Sequence, residues 1–207
     1  MKKMLVFLCV ACLVSAANAN LIGNGGFESP IGTIVDNWSV NAIGNTASVT
    51  RVTGNSYNGS YAAEFIVNYI SETGTKAEIL QQTLTGSIIP GQAYDFSFYA
   101  KGLAGPGVVG FYQVQWLDSD GSNGGGVKGV TPMVQFGTSL TSVYQRFGFI
   151  GQTAAAGADA AFISIRLEGG AFVGSIGNML VDKAVLTPEP AGLILLGLGG
   201  LVIRRRK

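Results

Sequence analysis

Apolar and polar side chains alternate along several stretches of this chain, and this period of two constrains its fold more than any other feature. In Ala93–Lys101 the even-numbered positions are apolar and the odd-numbered ones mostly polar, as in a strand with one buried face. Val109–Leu117 and Ala161–Leu167 alternate in the same way. We also predict strands at Ser48–Thr53, Tyr61–Asn68, Glu78–Thr85, Val143–Ile150 and Met179–Leu186. Turn-forming residues separate these stretches and no amphipathic helical pattern is convincing, so the sequence predicts an all-β sandwich or barrel.

The amino-acid composition excludes several classes of site. The chain has no histidine, which rules out His-based catalytic triads and His-ligated zinc, copper or haem. Both cysteines, Cys9 and Cys12, lie in the N-terminal apolar stretch, so the domain that follows has no disulfide. Residues 20–187 carry seven Lys and Arg against eleven Asp and Glu, a net charge of −4 that argues against nucleic acid as a partner.

The first nineteen residues have the three parts of a secretory signal peptide. Lys2 and Lys3 precede an apolar run from Met4 to about Ser15, and Ala17-Asn18-Ala19 forms a cleavage site with small residues at its first and third positions. We therefore expect residues 1–19 to be removed and the mature chain to start near Asn20. A lipoprotein acylated at Cys12 is the alternative, although the residues before Cys12 lack the usual leucine.

The last twenty residues predict a short membrane-directed helix. Pro188-Glu189-Pro190 precedes the apolar run Ala191–Ile203, and the chain ends in Arg204-Arg205-Arg206-Lys207. Charged ends resist translocation, so such a helix enters a bilayer with its basic end in the cytoplasm. Its thirteen apolar residues span only about 20 Å of a hydrocarbon core of about 30 Å, which suits transient retention better than a permanent anchor. The sequence thus predicts a signal peptide at 1–19, one β-domain at 20–187 and a sorting tail at 188–207, with a plain membrane anchor as the alternative for the tail.

Several stretches of the β-domain resemble a known fold family. They are Leu21–Glu28 with Trp38-Ser39-Val40, Leu80–Leu84 with Ile89–Ser97, Trp116–Gly121, and Met179–Leu186. Together they resemble the galactose-binding-like jelly rolls, the class that includes many carbohydrate-binding modules. The resemblance covers about 160 residues and implies a jelly-roll β-sandwich. It is more specific for the fold than for the ligand.

The tail resembles a second known element. Pro-Glu-Pro at 188–190, the glycine- and leucine-containing apolar run and the arginine-rich end are together similar to the PEP-CTERM sorting signal of Gram-negative bacteria. That resemblance implies export by the general secretion route and recognition by a membrane exosortase. It also implies cleavage near the motif, transient tethering to the inner membrane, and transfer to the cell envelope or extracellular matrix.

Candidate metal ligands follow from the jelly-roll resemblance. In that family a structural calcium ion often joins the N-terminal loop to the last strand, and Glu28 and Asp182 stand at the matching positions. A carbonyl of the turn 58–60 is a further candidate ligand. Ca²⁺ takes six to eight oxygen ligands, so carboxylates from distant segments can share one ion. The alternative is that both residues are solvated or capping groups. Asp118-x-Asp120-Gly121 lacks the glutamate of an EF-hand, and we predict that 118–129, with its three consecutive glycines, is a polar loop.

Candidate ligand-binding residues lie on the polar faces of the predicted strands. A sugar presents apolar C–H faces and hydroxyl groups, so its site needs aromatic, amide and charged side chains. We expect Trp38 and Trp116 to pack in the core. The candidates on the opposite faces are Tyr99, Gln113, Gln115 and Arg166, which line one surface if their strands are neighbours.

The sequence favours a non-catalytic function. The main hypothesis is an exported cell-surface or matrix protein, and the alternative is a carbohydrate-binding module for exopolysaccharide in a biofilm matrix. A glycoside hydrolase is a remote alternative: it needs two placed carboxylates, for which Glu64, Glu72 and Glu78 can be considered, but no local pattern marks a nucleophile or an acid.

Overall fold

The computed structural model describes residues 20–30, 38–44, 46–69, 74–170 and 173–189. These residues form eleven strands and a short 3-10 helix, Gly137–Ser139, and contain no α-helix. The strands are β1 (Ser39–Ile43), β2 (Ser48–Thr53), β3 (Tyr61–Asn68), β4 (Thr75–Gln82), β5 (Ala93–Ala104), β6 (Val108–Asp118), β7 (Gly126–Val130), β8 (Val134–Gln135), β9 (Gln145–Thr153), β10 (Ala160–Gly169) and β11 (Ile176–Pro188).

The strands form two antiparallel sheets. The first has the order β1-β4-β10-β6-β7, with β8 also paired to β6. The second has the order β2-β3-β11-β5-β9. The chain crosses between the sheets at most of its connections, as β3 to β4, β5 to β6 and β10 to β11 do. This architecture confirms the predicted all-β sandwich and is consistent with a jelly roll.

The core lies between the sheets, where the inward positions of the alternating strands meet. Every second residue of β6 is buried from Val108 to Asp118, and β5 alternates in the same way from Tyr94 to Ala100. The ring of Phe98 lies 5.4 Å from those of both Tyr112 and Phe136, so the two sheets share one aromatic cluster. Each buried apolar side chain of this size contributes roughly 1.5–3 kcal/mol. The period of two therefore determines both the strands and the packing of the sheets.

Most predicted strands are found close to where the pattern places them. Ser48–Thr53 and Tyr61–Asn68 match β2 and β3 to the residue. The predicted strand Glu78–Thr85 is observed three residues earlier, at Thr75–Gln82. The reason is that Thr75 and Ala77 continue the buried face, whereas Leu84 is 80% exposed in the loop after β4.

Three short strands, β1, β7 and β8, were not predicted from the sequence. The expectation of a loop over 118–129 is wrong at its end, because Gly126–Val130 pairs with β6 as β7. Gly124, Gly125 and Gly126 all have positive φ values, 91°, 72° and 76°, and make the turn that returns the chain to β6. A glycine run can thus form the entry to a strand as well as interrupt one.

The predicted processing segments lie largely outside the described residues. Residues 1–19 and 190–207 are not described, and with them the apolar run, Pro190 and the basic end Arg204-Arg205-Arg206-Lys207. Pro188 is the last residue of β11, and the Glu189 N–H donates to the Ala93 carbonyl. Among the described residues, no helix is long and apolar enough to cross a membrane.

Candidate functional site

A groove lies on the outer face of the first sheet, across β4, β10 and β6. Strand register sets its geometry: Arg166 pairs with both Glu78 and Phe111, and Ser164 pairs with both Leu80 and Gln113. We call this depression the sheet groove. Its lining residues are Glu78, Leu80, Phe111, Tyr112, Gln113, Gln115, Met133, Phe162, Ser164 and Arg166.

Glu78 is the buried acid of the sheet groove and is 5% exposed. Its Oε2 accepts from Lys76 Nζ at 2.7 Å and Asn41 Nδ2 at 3.0 Å, and its Oε1 accepts from Ser164 Oγ at 2.7 Å. Burial opposes ionisation, but the hydrogen bonds and the Lys76 charge outweigh it and hold the pKa of Glu78 below its ordinary value. Glu78 is therefore a fixed carboxylate at neutral pH that ties three strands together.

Two glutamines form the amide side of the groove. Gln113 Nε2 donates to the Thr131 carbonyl at 3.0 Å, and Gln115 Nε2 reaches Gln113 Oε1 at 3.5 Å. The two residues lie on the same face of β6 because they are separated by one buried residue, Val114. Their amides offer donors and acceptors to a ligand while the strand holds their spacing.

Arg166 closes the cationic end of the groove. Its Nε lies 3.1 Å from Glu168 Oε1, its Nη2 lies 3.0 Å from Met133 Sδ, and its guanidinium carbon lies 5.0 Å from the centre of the Phe111 ring. The fork is held on several sides, so less side-chain entropy is lost when it donates to a ligand. The neighbouring Phe111 and Phe162 give the groove two half-buried aromatic surfaces.

The size and lining of the groove limit what it can do. Its cavity volume of about 90 Å³ is below the roughly 300–1,000 Å³ of pockets that enclose a drug-sized ligand. A ligand would therefore lie along the groove with much of its surface in water. Aromatic faces beside amides, a carboxylate and a guanidinium suit a molecule with both apolar faces and hydroxyl groups.

The structure brings together three of the four predicted ligand-binding residues. Gln113, Gln115 and Arg166 line the sheet groove, whereas Tyr99 lies on β5 in the second sheet. The condition for all four to share one surface, that their strands are neighbours, is not met for Tyr99, because β5 and β6 belong to opposite sheets. The ring of Tyr99 stacks on that of Tyr57 with centroids 3.7 Å apart.

Sequence reasoning missed Phe111, Phe162 and Met133 as groove residues. Both phenylalanines were visible as outward positions of the same alternation that places Gln113 and Arg166. Met133 lies in a loop, and only the pairing of β8 with β6 brings it to the groove. Trp38 and Trp116 are 1% and 2% exposed, so their predicted core packing is confirmed.

Glu28 and Asp182, the two predicted calcium ligands, meet at one turn. Glu28 Oε1 accepts from the N–H groups of Ser60 at 2.9 Å and Tyr61 at 3.2 Å. Asp182 Oδ2 accepts from the N–H groups of Tyr57 and Asn58, each at 2.8 Å. The turn thus presents N–H groups to both carboxylates, where a carbonyl ligand was predicted. These donors complement the charges of the buried Asp182 and the exposed Glu28.

The electrostatics of this pair are compatible with a cation. Asp182 is fully buried. Burial raises its pKa and the nearby charge of Glu28 raises it further, while the N–H donors of Asn58, Lys183 and Tyr57 lower it; the net shift is upward. A divalent cation would relieve the repulsion between the two carboxylates, although the N–H donors already occupy part of their acceptor capacity.

The carboxylates considered for hydrolysis are not assembled into one site. Glu78 lies in the sheet groove, whereas Glu64 lies on β3 of the second sheet and accepts from Asn178 Nδ2 at 3.0 Å. Glu72 is outside the described residues. Glycoside hydrolysis needs two carboxyl groups within about 5–9.5 Å across one sugar, and Glu64 and Glu78 face opposite sides of the sandwich.

Comparison with known proteins identifies the domain. A family model described as a carbohydrate binding domain matches residues 19–132, more than half of the chain. No curated protein sequence matches the chain.

Solved structures share the fold at low sequence identity. TmCBM61, solved in complex with β-1,4-galactotriose, is 18% identical with a TM-score of 0.56, over 83% of this chain and 100% of that one. The enzymatically active domain of tailspike protein 4 from bacteriophage CBA120 is 17% identical with a TM-score of 0.59, over 82% of this chain and 21% of that one. A carbohydrate-binding module of the β-sandwich superfamily, studied for promiscuous specificity, is 14% identical with a TM-score of 0.55, over 82% and 63%. These identities support a common fold and nothing finer.

Proposed function

The chain belongs to the carbohydrate binding domain family, and from this premise we propose that it binds a polysaccharide along the sheet groove without cleaving it. The observation that carries the proposal is the lining of the groove, in which two aromatic rings flank two amides and an arginine. We name exopolysaccharide as the ligand class, which makes the protein a matrix or surface component.

The residues divide the work of binding between them. Phe111 and Phe162 cover the apolar C–H faces of sugar rings, and Gln113, Gln115 and Arg166 bond to hydroxyl groups. Glu78 keeps β1, β4 and β10 in register below them. We propose binding without cleavage, since Glu78 is the one acid among the described residues that line the groove, and three hydrogen-bond donors already hold it.

Binding is tested with a polysaccharide panel that includes β-1,4-galactan, the polymer of the sugar bound by TmCBM61. We expect Phe162→Ala and Gln115→Ala to weaken binding of the best ligand about tenfold each, as a loss of about 1.4 kcal/mol does. Tyr99→Ala is the matched control, because it removes an aromatic side chain from the other sheet, and we expect its affinity to equal that of wild type.

Two outcomes contradict this proposal. If no polysaccharide of the panel binds, the protein has no sugar ligand of the classes tested. If Tyr99→Ala abolishes binding while Phe162→Ala does not, the ligand lies on the second sheet.

We further propose that the protein is exported and sorted as its ends suggest, with a signal peptide at 1–19, the sandwich at 20–187 and a PEP-CTERM signal at 188–207. An exosortase then acts at Pro188-Glu189-Pro190, and Arg204 to Lys207 hold the tail in the inner membrane before transfer to the envelope or matrix. The support is the tail's short apolar run with its basic end.

For Glu28 and Asp182 we propose a structural Ca²⁺ ion that joins the N-terminal segment to β11. The support is a fully buried carboxylate beside a second one. A ligand that binds only the native state raises its stability, so Ca²⁺ should raise the Tm of the wild type. We expect Glu28→Gln to remove part of that rise, and the part removed is the contribution of this site.

A further inference from the structure

Three carboxylates converge at the end of the sandwich where β6 turns into β7. Asp118 is the last residue of β6, Asp120 lies in the turn that follows, and Asp159 lies just before β10. One carboxylate oxygen from each lies within 4.8 Å of the other two. We call these residues the aspartate cluster.

Asp118 supplies an acceptor that nothing in the described part of the chain satisfies. Its side chain is 0% exposed. Oδ2 accepts from the N–H groups of Gly125 at 2.6 Å and Asn123 at 2.8 Å, and Lys128 Nζ lies 3.6 Å from it. Oδ1 is equally buried and has no hydrogen-bond partner. A buried carboxylate oxygen without a donor is costly, so Oδ1 calls for a ligand.

The described part of the chain gives the aspartate cluster one ion pair, between Lys128 Nζ and Asp118 Oδ2 at 3.6 Å. Three carboxylates beside one lysine leave an excess of negative charge, which a cation would relieve.

Backbone donors hold the other two carboxylates in place. Asp159 Oδ1 accepts from the Ser119 N–H at 2.7 Å, and its Oδ2 accepts from the Asp120 N–H at 3.2 Å. Asp120 Oδ1 accepts from the Ser122 N–H at 2.7 Å. These bonds fix the oxygens near one another and spare the cost of ordering them when a ligand arrives.

We propose that the aspartate cluster binds a divalent cation, with Ca²⁺ as the fitting ion. Carboxylate oxygens are hard ligands, and Ca²⁺ tolerates the irregular geometry of a turn where Mg²⁺ demands a near-ideal octahedron. Three side chains supply fewer than the six to eight oxygens that Ca²⁺ takes, so water completes the shell and the affinity is weak, about 10⁻⁴–10⁻³ M as in extracellular modules. This site is separate from Glu28 and Asp182, and it joins β6, the strand that carries Gln113 and Gln115, to the turn before β10.

The test is thermal unfolding of the full chain in detergent, stripped of metal and then measured with and without 10 mM CaCl₂. The variants are Asp120→Asn, Glu28→Gln and the double variant. Asp120→Asn suits the purpose because Asp120 is exposed and an asparagine oxygen can still accept from Ser122. At about ten times the dissociation constant, we expect Ca²⁺ to raise the Tm of Glu28→Gln by about 3–5 °C. We expect the double variant to lose that rise. In the absence of metal, Asp120→Asn should melt no lower than wild type, because it removes repulsion.

The control ions and the alternatives make the outcome decisive. Mg²⁺ at the same concentration should give a smaller rise. The proposal is overturned if Ca²⁺ raises the Tm of Glu28→Gln and of the double variant by the same amount. It is also overturned if Ca²⁺ leaves the Tm of the wild type and of all three variants unchanged. If Asp120→Asn lowers the Tm by the same amount with and without Ca²⁺, Asp120 has a structural role only, and the proposal is overturned. Asp159→Asn provides the second variant, with the same expected loss of response.

Discussion

At the scale of single residues, backbone strain is concentrated around Glu28 and Asp182. The three non-glycine residues with positive φ among those described are Asn24, Phe27 and Lys183, at 48°, 55° and 51°. Phe27 and Lys183 directly adjoin Glu28 and Asp182 in sequence, and Lys183 lies where the register of β11 with β5 shifts. Such conformations cost of order 1–3 kcal/mol each and persist where the surroundings over-determine them. The anchoring of this corner is therefore strong enough to hold Phe27 and Lys183 in this conformation.

Gly59 gives the sharpest single-residue prediction at this corner. Its φ is +75°, and an added Cβ would stand 2.1 Å from Glu28 Oε1. Gly59→Ala adds left-handed strain and displaces the exposed end of the Glu28 side chain from the Ser60 and Tyr61 N–H groups, so we expect a loss of about 2 kcal/mol in the free energy of unfolding, measured in urea. Gly54→Ala is the matched control: its φ is +78° with nothing within 4 Å, and we expect only the left-handed strain of about 1 kcal/mol. Equal losses would mean that Glu28 contributes nothing to the turn.

At the scale of elements, Glu78 links β4 to both of its neighbours and makes their pairing sensitive to acid. Its folded-state pKa lies below the ordinary value, so its stabilisation is complete above the unfolded pKa of about 4.3 and disappears as the pH falls through the folded value. At pH 7 we expect Glu78→Gln to cost about 1 kcal/mol. Chemical denaturation between about pH 6 and pH 3 should show the free energy of unfolding of the wild type falling towards that of Glu78→Gln. A gap that stays constant over this range would show that the Glu78 charge does not stabilise the strands.

The elements that could be predicted from the sequence are those with one clearly buried face. β5, β6 and β10 alternate over eight residues or more and were found near their predicted positions. β1 has no buried position and β8 has two residues, so neither carries a readable period. The same limit applies to the site. Alternation identifies Gln113, Gln115 and Arg166 as outward-facing, but only the topology reveals that Tyr99 belongs to the opposite sheet.

At the scale of the whole molecule, the two ends of the domain meet. Asn20 Oδ1 accepts from the Leu186 N–H at 2.9 Å, and the Leu21 N–H donates to the Leu186 carbonyl at 2.8 Å. Both proposed processing segments therefore join the sandwich next to each other, at β11. Asn20, the proposed first residue of the mature chain, already has a structural role, and a cleavage that removed it would take away the acceptor of the Leu186 N–H.

The same arrangement predicts where the tail can be removed without harm. β11 ends at Pro188, and the Glu189 N–H still bonds to Ala93, so a chain of residues 20–189 keeps every described pairing. We expect it to melt within about 2 °C of the full chain and to stay in the soluble fraction, while the full chain sediments with membranes. Leu186→Ala in the shorter chain is the control for damage to β11, with an expected cost of about 2–5 kcal/mol because Leu186 is fully buried.

Mass spectrometry of the exported protein should then find Glu189 retained. A mature chain that ends before Pro188 would contradict this placement, because it would have lost the pairing with Tyr94.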